Sequence, residues 1–291
     1  MRRRDFVVLS AGSLLTRGCG TAGATVVLVT ADTESHVAVV TPTSGRVRAR
    51  VATREGPRSI EAAPGARAVV AHTTEGVVTL LEGRPPRVRR VLHGFTAPRY
   101  TAIHPGGRWA YVSDSAEGAV QVIDLVRGGV VGGAVVGDLA RHITIAPDGR
   151  TLHVVLGTRA RTVAVVDVSE PTAPRLRGHL NPPFLAHDVA CTPDGRNLWV
   201  SSGDRRELSI YAVGARAPLA VLPAGAPPQH VTFAGTRAYV ASGDDGTLEV
   251  RRASDGRLQR RTAVPVGSYN VQRGAGWVAT PSLELGTLVV A

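Results

Sequence analysis

The sequence contains no lysine, so arginine supplies all 34 basic side chains and the formal net charge of +11. Such a surplus attracts nucleic acid or acidic glycans when it is concentrated on one surface. Here the arginines form no dense run with interleaved aromatic residues. Aromatic residues make up only 4% of the chain, too few for a base-stacking platform. A GC-rich coding sequence explains the arginine content, and we expect no nucleic-acid partner.

Cysteine is nearly absent as well, with only Cys19 and Cys191 in 291 residues. This excludes a small disulfide scaffold. Cys191 lies in an apolar strand pattern and has no base nearby except His187, so we interpret it as a small buried hydrophobe. The G-x-S-x-G, H-E-x-x-H and phosphate-loop motifs are also missing, and we assign no catalytic residue.

The first 24 residues resemble an export leader. Arginines at 2–4 precede a short apolar stretch from Phe6 to Leu15, which is too short to span a bilayer as an ordinary helix. The pair Arg3-Arg4, with Phe6 two positions further on, resembles a bacterial twin-arginine signal. We therefore expect residues 1–24 to direct export across the cytoplasmic membrane.

Two alternative positions are predicted for the end of this leader. Gly18-Cys19 resembles a lipoprotein signal in which Cys19 receives the lipid, although Thr16 and Arg17 depart from that pattern. Ala22-Gly23-Ala24 offers a competing small-x-small cleavage site. The mature protein is expected either at the cell surface through a lipid anchor or secreted. That anchor is the only membrane contact we expect.

Residues 25–291 contain a repeat of about 40 residues. Six strand starts align at positions 58, 99, 141, 187, 229 and 269, with one long step at a Pro-rich insertion around Pro171–Pro183. Each apolar strand leads into a tight turn such as Pro147-Asp148-Gly149-Arg150, where Pro sets φ and Gly accepts a positive φ. A second strand, a polar loop, a third strand and a weaker fourth strand follow. Four short antiparallel strands per repeat are typical of a propeller blade.

The number of blades follows from counting these strands. Second and third strands number seven, but first and fourth strands number only six. The first blade thus lacks an obvious inner strand, and the last lacks an outer one. Either the leader region supplies a strand, or the closure is irregular. We predict an all-β, seven-bladed propeller in a single domain, with six blades as the alternative.

Three segments carry a family resemblance. Pro147-Asp148-Gly149-Arg150, Tyr111-Val112-Ser113-Asp114 and Val122-Ile123-Asp124 resemble the YVTN-type propeller repeat. That family includes exported bacterial propellers and is similar to seven-bladed lactonase-like proteins. The resemblance implies the fold, but one scaffold of this kind hosts many activities.

Polar residues recur at each inner-strand start, where equivalent positions form a ring around the propeller axis. The first column is Arg58, Arg99, Arg141, His187, Gln229 and Tyr269, and the second is Ser59, Tyr100, His142, Asp188, His230 and Asn270. Three successive guanidiniums suit a small carboxylate or phosphate. We predict a ligand site at the channel mouth made by Arg58, Arg99, Tyr100, Arg141, His187, Gln229, Tyr269 and Asn270. The alternative is that the arginines only brace neighbouring blades.

His142, Asp188 and His230 come from three consecutive blades. Imidazole and carboxylate groups are competent ligands for zinc, copper or iron. A divalent metal is therefore the one cofactor that the pattern indicates.

Three functions remain open from the sequence. The first is a monomeric, non-enzymatic binding propeller for a small anionic ligand or a cell-surface protein. The second is a lactonase-like or metal-dependent hydrolase or redox enzyme that uses the same channel mouth. The third is a structural role at the cell surface. We favour the first, because a catalytic constellation is missing.

Overall fold

The computed structural model describes residues 7–10, 25–157, 161–274 and 276–291. The predicted lipid acceptor Cys19, the arginine pair and both predicted leader ends lie outside these residues. Within them the chain forms 27 β-strands and no helix. Accordingly, the described part of the chain contains no helix long and apolar enough to cross a membrane. The all-β prediction is confirmed.

The strands form seven sheets, each a meander of consecutive antiparallel strands. The first three blades are β1 Val7–Ser10, β2 Val27–Ala31, β3 His36–Val40 and β4 Val47–Ala52; β5 Pro57–Ala63, β6 Arg67–His72, β7 Val77–Glu82 and β8 Arg87–Leu92; and β9 Pro98–Ile103, β10 Trp109–Asp114, β11 Ala119–Asp124 and β12 Gly129–Val135. The next two are β13 Ala140–Ile145, β14 Thr151–Leu156, β15 Val163–Asp167 and β16 Arg175–Leu180; and β17 Ala186–Cys191, β18 Asn197–Ser202, β19 Glu207–Ala212 and β20 Ala220–Pro223. The last two are β21 His230–Ala234, β22 Arg237–Ser242, β23 Thr247–Arg252 and β24 Leu258–Ala263; and β25 Gln272–Arg273, β26 Val278–Ser282 and β27 Thr287–Val290.

The blades close into a ring. Inner strands contact one another in the order β1, β5, β9, β13, β17, β21 and β25, and β1 also contacts β26 of the last blade. The seven-bladed prediction is confirmed, and the six-bladed alternative is wrong. Six blades have four strands, whereas the seventh has three within the described residues.

The inner strand of the first blade comes from the N-terminal segment. Val7 lies opposite Ala31, and Ser10 lies opposite Leu28, so β1 extends the sheet beside β2. The sequence left open whether the leader region supplies the missing inner strand or the ring closes irregularly, and in the structure the leader region supplies it. Cleavage at either predicted leader end would remove this strand from the blade. The division of the chain at residue 24 stays a prediction.

The Pro-Asp-Gly-Arg turns join the first and second strands of a blade. Asp148 Oδ1 accepts the Arg150 backbone N–H at 2.9 Å, and Gly149 takes a φ of 74°. In the next blade, Asp194 Oδ1 accepts the Arg196 backbone N–H at 3.1 Å. An aspartate that bonds the backbone two residues on, followed by a glycine with positive φ, defines these turns locally. Because their determinants are adjacent in the chain, the sequence alone was sufficient to place these turns.

The core is divided among the interfaces between neighbouring blades. The second strand β10 is buried beyond its first residue, whereas the outermost strand β8 is exposed over its first four residues. Tyr111 and Leu152 belong to one buried cluster shared by the third and fourth blades. Trp199 and Phe233 meet edge to face, with ring centroids 5.5 Å apart, between the fifth and sixth blades. Each blade therefore depends on its neighbours for burial.

Two inner strands begin later than the sequence predicts. β21 starts at His230 rather than at position 229. β25 is reduced to Gln272–Arg273. Before it, the Tyr269 N–H donates to the Gly267 carbonyl at 2.9 Å in a tight turn rather than to a neighbouring strand.

Candidate functional site

The inner strands of blades 2 to 5 carry a β-bulge at the two polar columns. In β9, Arg99 and Tyr100 oppose the single residue Ser113 of β10. In β13 the irregularity falls at Arg141 and His142, and β5 and β17 show it at the equivalent positions. Consecutive residues of a regular strand point to opposite faces, but a bulge changes the direction of a side chain. Members of both columns therefore line the same central cavity.

Two serines stabilise these bulges. Ser113 Oγ accepts the Tyr100 N–H at 3.2 Å, and Ser201 Oγ accepts the Asp188 N–H at 3.0 Å. Both serines are fully buried and occupy the equivalent place in the second strand of their blades. The hydroxyl replaces the backbone partner that the bulged residue has lost.

Replacing Ser201 by alanine is expected to lower the free energy of unfolding by about 1–2 kcal/mol, because the buried Asp188 N–H loses its acceptor. Urea denaturation followed by circular dichroism measures this difference. Ser209→Ala is the matched control, since Ser209 on the adjacent strand is also fully buried and its hydroxyl makes no hydrogen bond. Equal losses in the two variants would contradict the role given to Ser201.

The three predicted metal residues converge. His142 Nδ1 lies 3.1 Å from Asp188 Oδ1, and His230 Nδ1 lies 3.9 Å from Asp188 Oδ2. One potential ligand atom from each residue lies within 4.8 Å of the other two. The Tyr100 ring stacks on the His142 ring at a centroid distance of 3.9 Å. We call His142, Asp188 and His230 the axial cluster.

The axial cluster is buried and polarised. The His142 and Asp188 side chains are only 6% and 5% exposed, and Asp188 Oδ2 accepts the Val231 N–H at 2.8 Å. Burial lowers the pKa of His142 to about 3, although Asp188 opposes this shift. Burial alone would raise the pKa of Asp188, but His230, His142 and the Val231 N–H together hold it below its usual value. The site therefore presents an ionised carboxylate beside a neutral imidazole at neutral pH.

Above the axial cluster lies a cavity of about 260 Å³, which we call the mouth cavity. Most of the residues that line it have polar side chains and come from the start of the inner strands. It is lined by Arg58, Tyr100, Arg141, His142, His187, Gln229, His230, Gly267, Tyr269, Asn270, Pro281 and Leu283. Seven of the eight predicted ligand residues are in this lining, and Arg99 is the exception. Gly267, Pro281 and Leu283 were missed, because they belong to no repeated column; Pro281 lies within β26 and Leu283 directly follows it.

The mouth cavity carries an excess of positive charge. Arg58 forms an ion pair with Asp32 at 3.1 Å, a residue from the turn after β2. Within the described residues, Arg99 and Arg141 form no ion pair, and the Nε of each is buried without a hydrogen-bond partner. Burial lowers the pKa of Arg99, and the nearby Arg141 and Arg58 cations lower it further. Of these three guanidiniums, only that of Arg58 forms an ion pair within the described residues.

A hydrogen bond to Gln229 orients the His187 ring in the lining of the same cavity. Its Nδ1 lies 2.7 Å from the Gln229 carbonyl oxygen, which can only accept, so Nδ1 carries the proton. Burial lowers the pKa of His187, which favours the neutral ring. Neutral His187 then offers its Nε2 lone pair, so the guanidiniums are the main anion-binding groups.

A second cavity of about 510 Å³ lies on the other side of the axial cluster. It shares Tyr100, His142, His230 and Asn270 with the mouth cavity. Cys191 also lines it, and burial raises the pKa of this thiol to about 11. The free thiol is therefore protonated at neutral pH, in agreement with its interpretation as a hydrophobe rather than a nucleophile.

Comparison with known proteins identifies the fold alone. No protein-family model matches the chain, and no curated protein sequence matches it. Hydrazine synthase from Kuenenia stuttgartiensis is similar in structure, with a TM-score of 0.79 and 18% identity over 91% of this chain and 92% of that chain. The dihydro-heme d1 dehydrogenase NirN, in complex with DHE, has a TM-score of 0.69 and 18% identity over 98% of this chain, which spans 65% of that protein. At this identity the two structures share a β-propeller fold with the chain, and the YVTN resemblance stays a prediction.

Proposed function

We propose that the chain is a binding propeller that holds a small anion in its mouth cavity without transforming it. The observation that carries this proposal is Arg141, a mouth-lining guanidinium that has no ion pair within the described residues and whose Nε has no hydrogen-bond partner. Buried polar groups nearly always have partners in native proteins, so an unpartnered donor in a cavity marks a place for a ligand.

The charge balance supports an anion rather than a neutral ligand. Arg58 has Asp32 as its partner, but Arg99 and Arg141 add two further positive charges nearby. Like charges at close range in a partly desolvated site repel one another, and a bound anion would relieve that repulsion. A guanidinium is also suited to bidentate contact with carboxylate or phosphate.

The size of the cavity limits the ligand. About 260 Å³ is below the range typical of pockets for drug-sized molecules. Gln229 and Tyr269 supply further polar groups around the rim. Inorganic phosphate or a short dicarboxylate such as succinate fits both the volume and the charge.

We further propose that this binding occurs outside the cytoplasmic membrane. The support is the leader-like sequence of residues 1–24, with lipid attachment at Cys19 as one of its two ends. An exported monomer whose mouth opens to the medium can bind a free anion or an acidic group on another surface protein.

Arg141→Gln is expected to weaken binding of succinate or phosphate at least about 10-fold, because a charge-assisted hydrogen bond contributes about 1.5–3 kcal/mol. Isothermal titration calorimetry at low ionic strength measures the dissociation constants. Arg175→Gln is the matched control, since Arg175 is exposed on the outermost strand of the same blade. Equal weakening in both variants, or no binding by the unmodified protein, would refute the anion site. Sustained turnover of lactones would refute the non-enzymatic part.

A second candidate function is a metal-dependent hydrolase or redox enzyme. The axial cluster favours it, because two of its residues, His142 and His230, line the mouth cavity, where a bound anion would meet them. The two similar structures are named as a synthase and a dehydrogenase, so the propeller scaffold is compatible with enzymes. No serine or cysteine nucleophile lies in the described lining of the mouth cavity, so this candidate stays second.

A further inference from the structure

We propose that His142, Asp188 and His230 bind one divalent first-row transition metal between the two cavities of the channel. This inference does not depend on the anion proposal, because the metal ligands are side chains of the axial cluster alone. It rests on the distances within the cluster, on the unpartnered Nδ1 of His230 and on the supports that hold Asp188 and His142 in place.

The distances are close to those of a metal centre. Zinc and similar ions bind imidazole nitrogen and carboxylate oxygen at about 2.0–2.2 Å, which places neighbouring ligand atoms roughly 3.0–3.5 Å apart. In the axial cluster, His142 Nδ1 and His230 Nδ1 lie 3.1 Å and 3.9 Å from oxygens of Asp188. All three ligand atoms lie within 4.8 Å of one another. Side-chain shifts of about 1 Å would complete the geometry.

A hydrogen bond explains the contact of Asp188 with His142 but not the position of His230 beside the same carboxylate. The contact of His142 with Asp188 at 3.1 Å has the length of a hydrogen bond. His230 Nδ1, however, is buried, lies 3.9 Å from the carboxylate and makes no hydrogen bond. Such an atom is uncommon in native proteins and points to a missing ligand.

Two of the three ligands, Asp188 and His142, are held in place by neighbouring groups. The bulge in β17 and the Ser201 hydroxyl fix the Asp188 backbone, and the Val231 N–H fixes Asp188 Oδ2 at 2.8 Å. The stacked Tyr100 ring fixes the plane of His142. Groups that orient the ligands reduce the entropy lost when the metal binds.

The ligand set indicates the class of metal. Two imidazoles and one carboxylate suit Zn²⁺, Fe²⁺ and related ions and do not suit Ca²⁺ or Mg²⁺, which prefer oxygen ligands. Three protein ligands leave coordination positions open, in contrast to a closed structural zinc site. His142 and His230 line both cavities, so such positions are accessible to small molecules.

The test uses the full chain and metal alone, in a buffer without phosphate or carboxylate. Zn²⁺ is titrated by calorimetry, and bound metal is counted by elemental analysis after gel filtration. We expect one Zn²⁺ per chain and a loss of affinity of roughly 100-fold or more in His142→Ala, His230→Ala and Asp188→Asn. His179→Ala is the matched control and should bind normally, because His179 is exposed on the outermost strand of the blade that carries His142.

Folding of the variants is checked by circular dichroism in the absence of metal. Zn²⁺ should raise the melting temperature of the unmodified protein, because it binds only the folded state, and should leave the axial-cluster variants unchanged. Co²⁺ in the unmodified protein gives a readout that needs no variant, since intense d–d bands indicate a low-symmetry site with four or five ligands. No stoichiometric Zn²⁺, binding lost only in His179→Ala, or Co²⁺ spectra of the hydrated ion would each overturn the proposal. Because no anion is present, failure here leaves the anion site to its own test.

Discussion

Replacing Glu249 by glutamine is expected to lower the free energy of unfolding by about 3–5 kcal/mol. Glu249 and Arg251 are only 1% and 4% exposed, and Arg251 donates Nε to Glu249 Oε2 at 2.8 Å. Arg261 and the Gly225 N–H also donate to this carboxylate, at 2.7 Å and 2.8 Å. Burial alone would raise the pKa of Glu249, but Arg261, Arg251 and the Gly225 N–H together lower it. Without the negative charge, the buried Arg251 cation is left uncompensated.

Urea denaturation measures the loss, and two further variants define its origin. The double variant Glu249→Gln with Arg251→Met should recover much of the stability, because removal of both charges abolishes the burial of an unpaired cation. Asp255→Asn should leave the transition midpoint unchanged, since Asp255 pairs with Arg252 on the surface. If Glu249→Gln resembled Asp255→Asn, the buried pair would have no stabilising role.

Acidification should destabilise the propeller between about pH 6.5 and pH 4, and His153 should account for up to about 3 kcal/mol of that loss. His153 is buried in β14, and its Nδ1 has no hydrogen-bond partner. Burial lowers its pKa to about 4, opposed by Asp148. Below pH 6.5 the unfolded chain gains a proton at this residue while the folded chain does not. Stability is therefore present above the unfolded pKa and falls as the pH drops towards the folded one.

His153→Leu should make the pH dependence shallower without lowering stability at pH 7, because leucine does not titrate and suits an apolar site. The measurement is the free energy of unfolding at a series of pH values from 7 to 4. His179→Leu, exposed in the same blade, should remain parallel to the unmodified protein. Parallel slopes for His153→Leu and the unmodified protein would show that His153 does not carry the effect.

The repeat was predictable because its determinants are local. The turns at Asp148 and Asp194 are defined by four adjacent residues, and they fix where the second strands β14 and β18 begin. The convergence of His142, Asp188 and His230 followed from one further assumption, that equivalent positions in consecutive blades meet on the axis.

Features that depend on distant partners were not predictable. Strict alternation along a strand would send only one of the two polar columns into the channel. Bulges in the second to fifth blades change this, and in the third and fifth blades the bulge is stabilised by Ser113 or Ser201 on the neighbouring strand. These serines are the one signal that the sequence offered. The pairing of Arg58 with Asp32 joins two blades, and nothing near Arg58 in the sequence indicates it.

Because β1 pairs with β2, the first and last blades meet without strand pairing, and we call this contact the joint of the ring. Every described strand lies in a sheet with its sequence neighbours, so no described sheet combines the two chain ends, and β1 only packs beside β26. Elsewhere in the described ring, a connecting segment of the chain joins each blade to the next, but none joins the first and last blades, so these two can separate without displacing a linker. The axial cluster lies on the fourth, fifth and sixth blades, none of which borders this joint. The first and last blades can therefore move apart while His142, Asp188 and His230 keep their spacing.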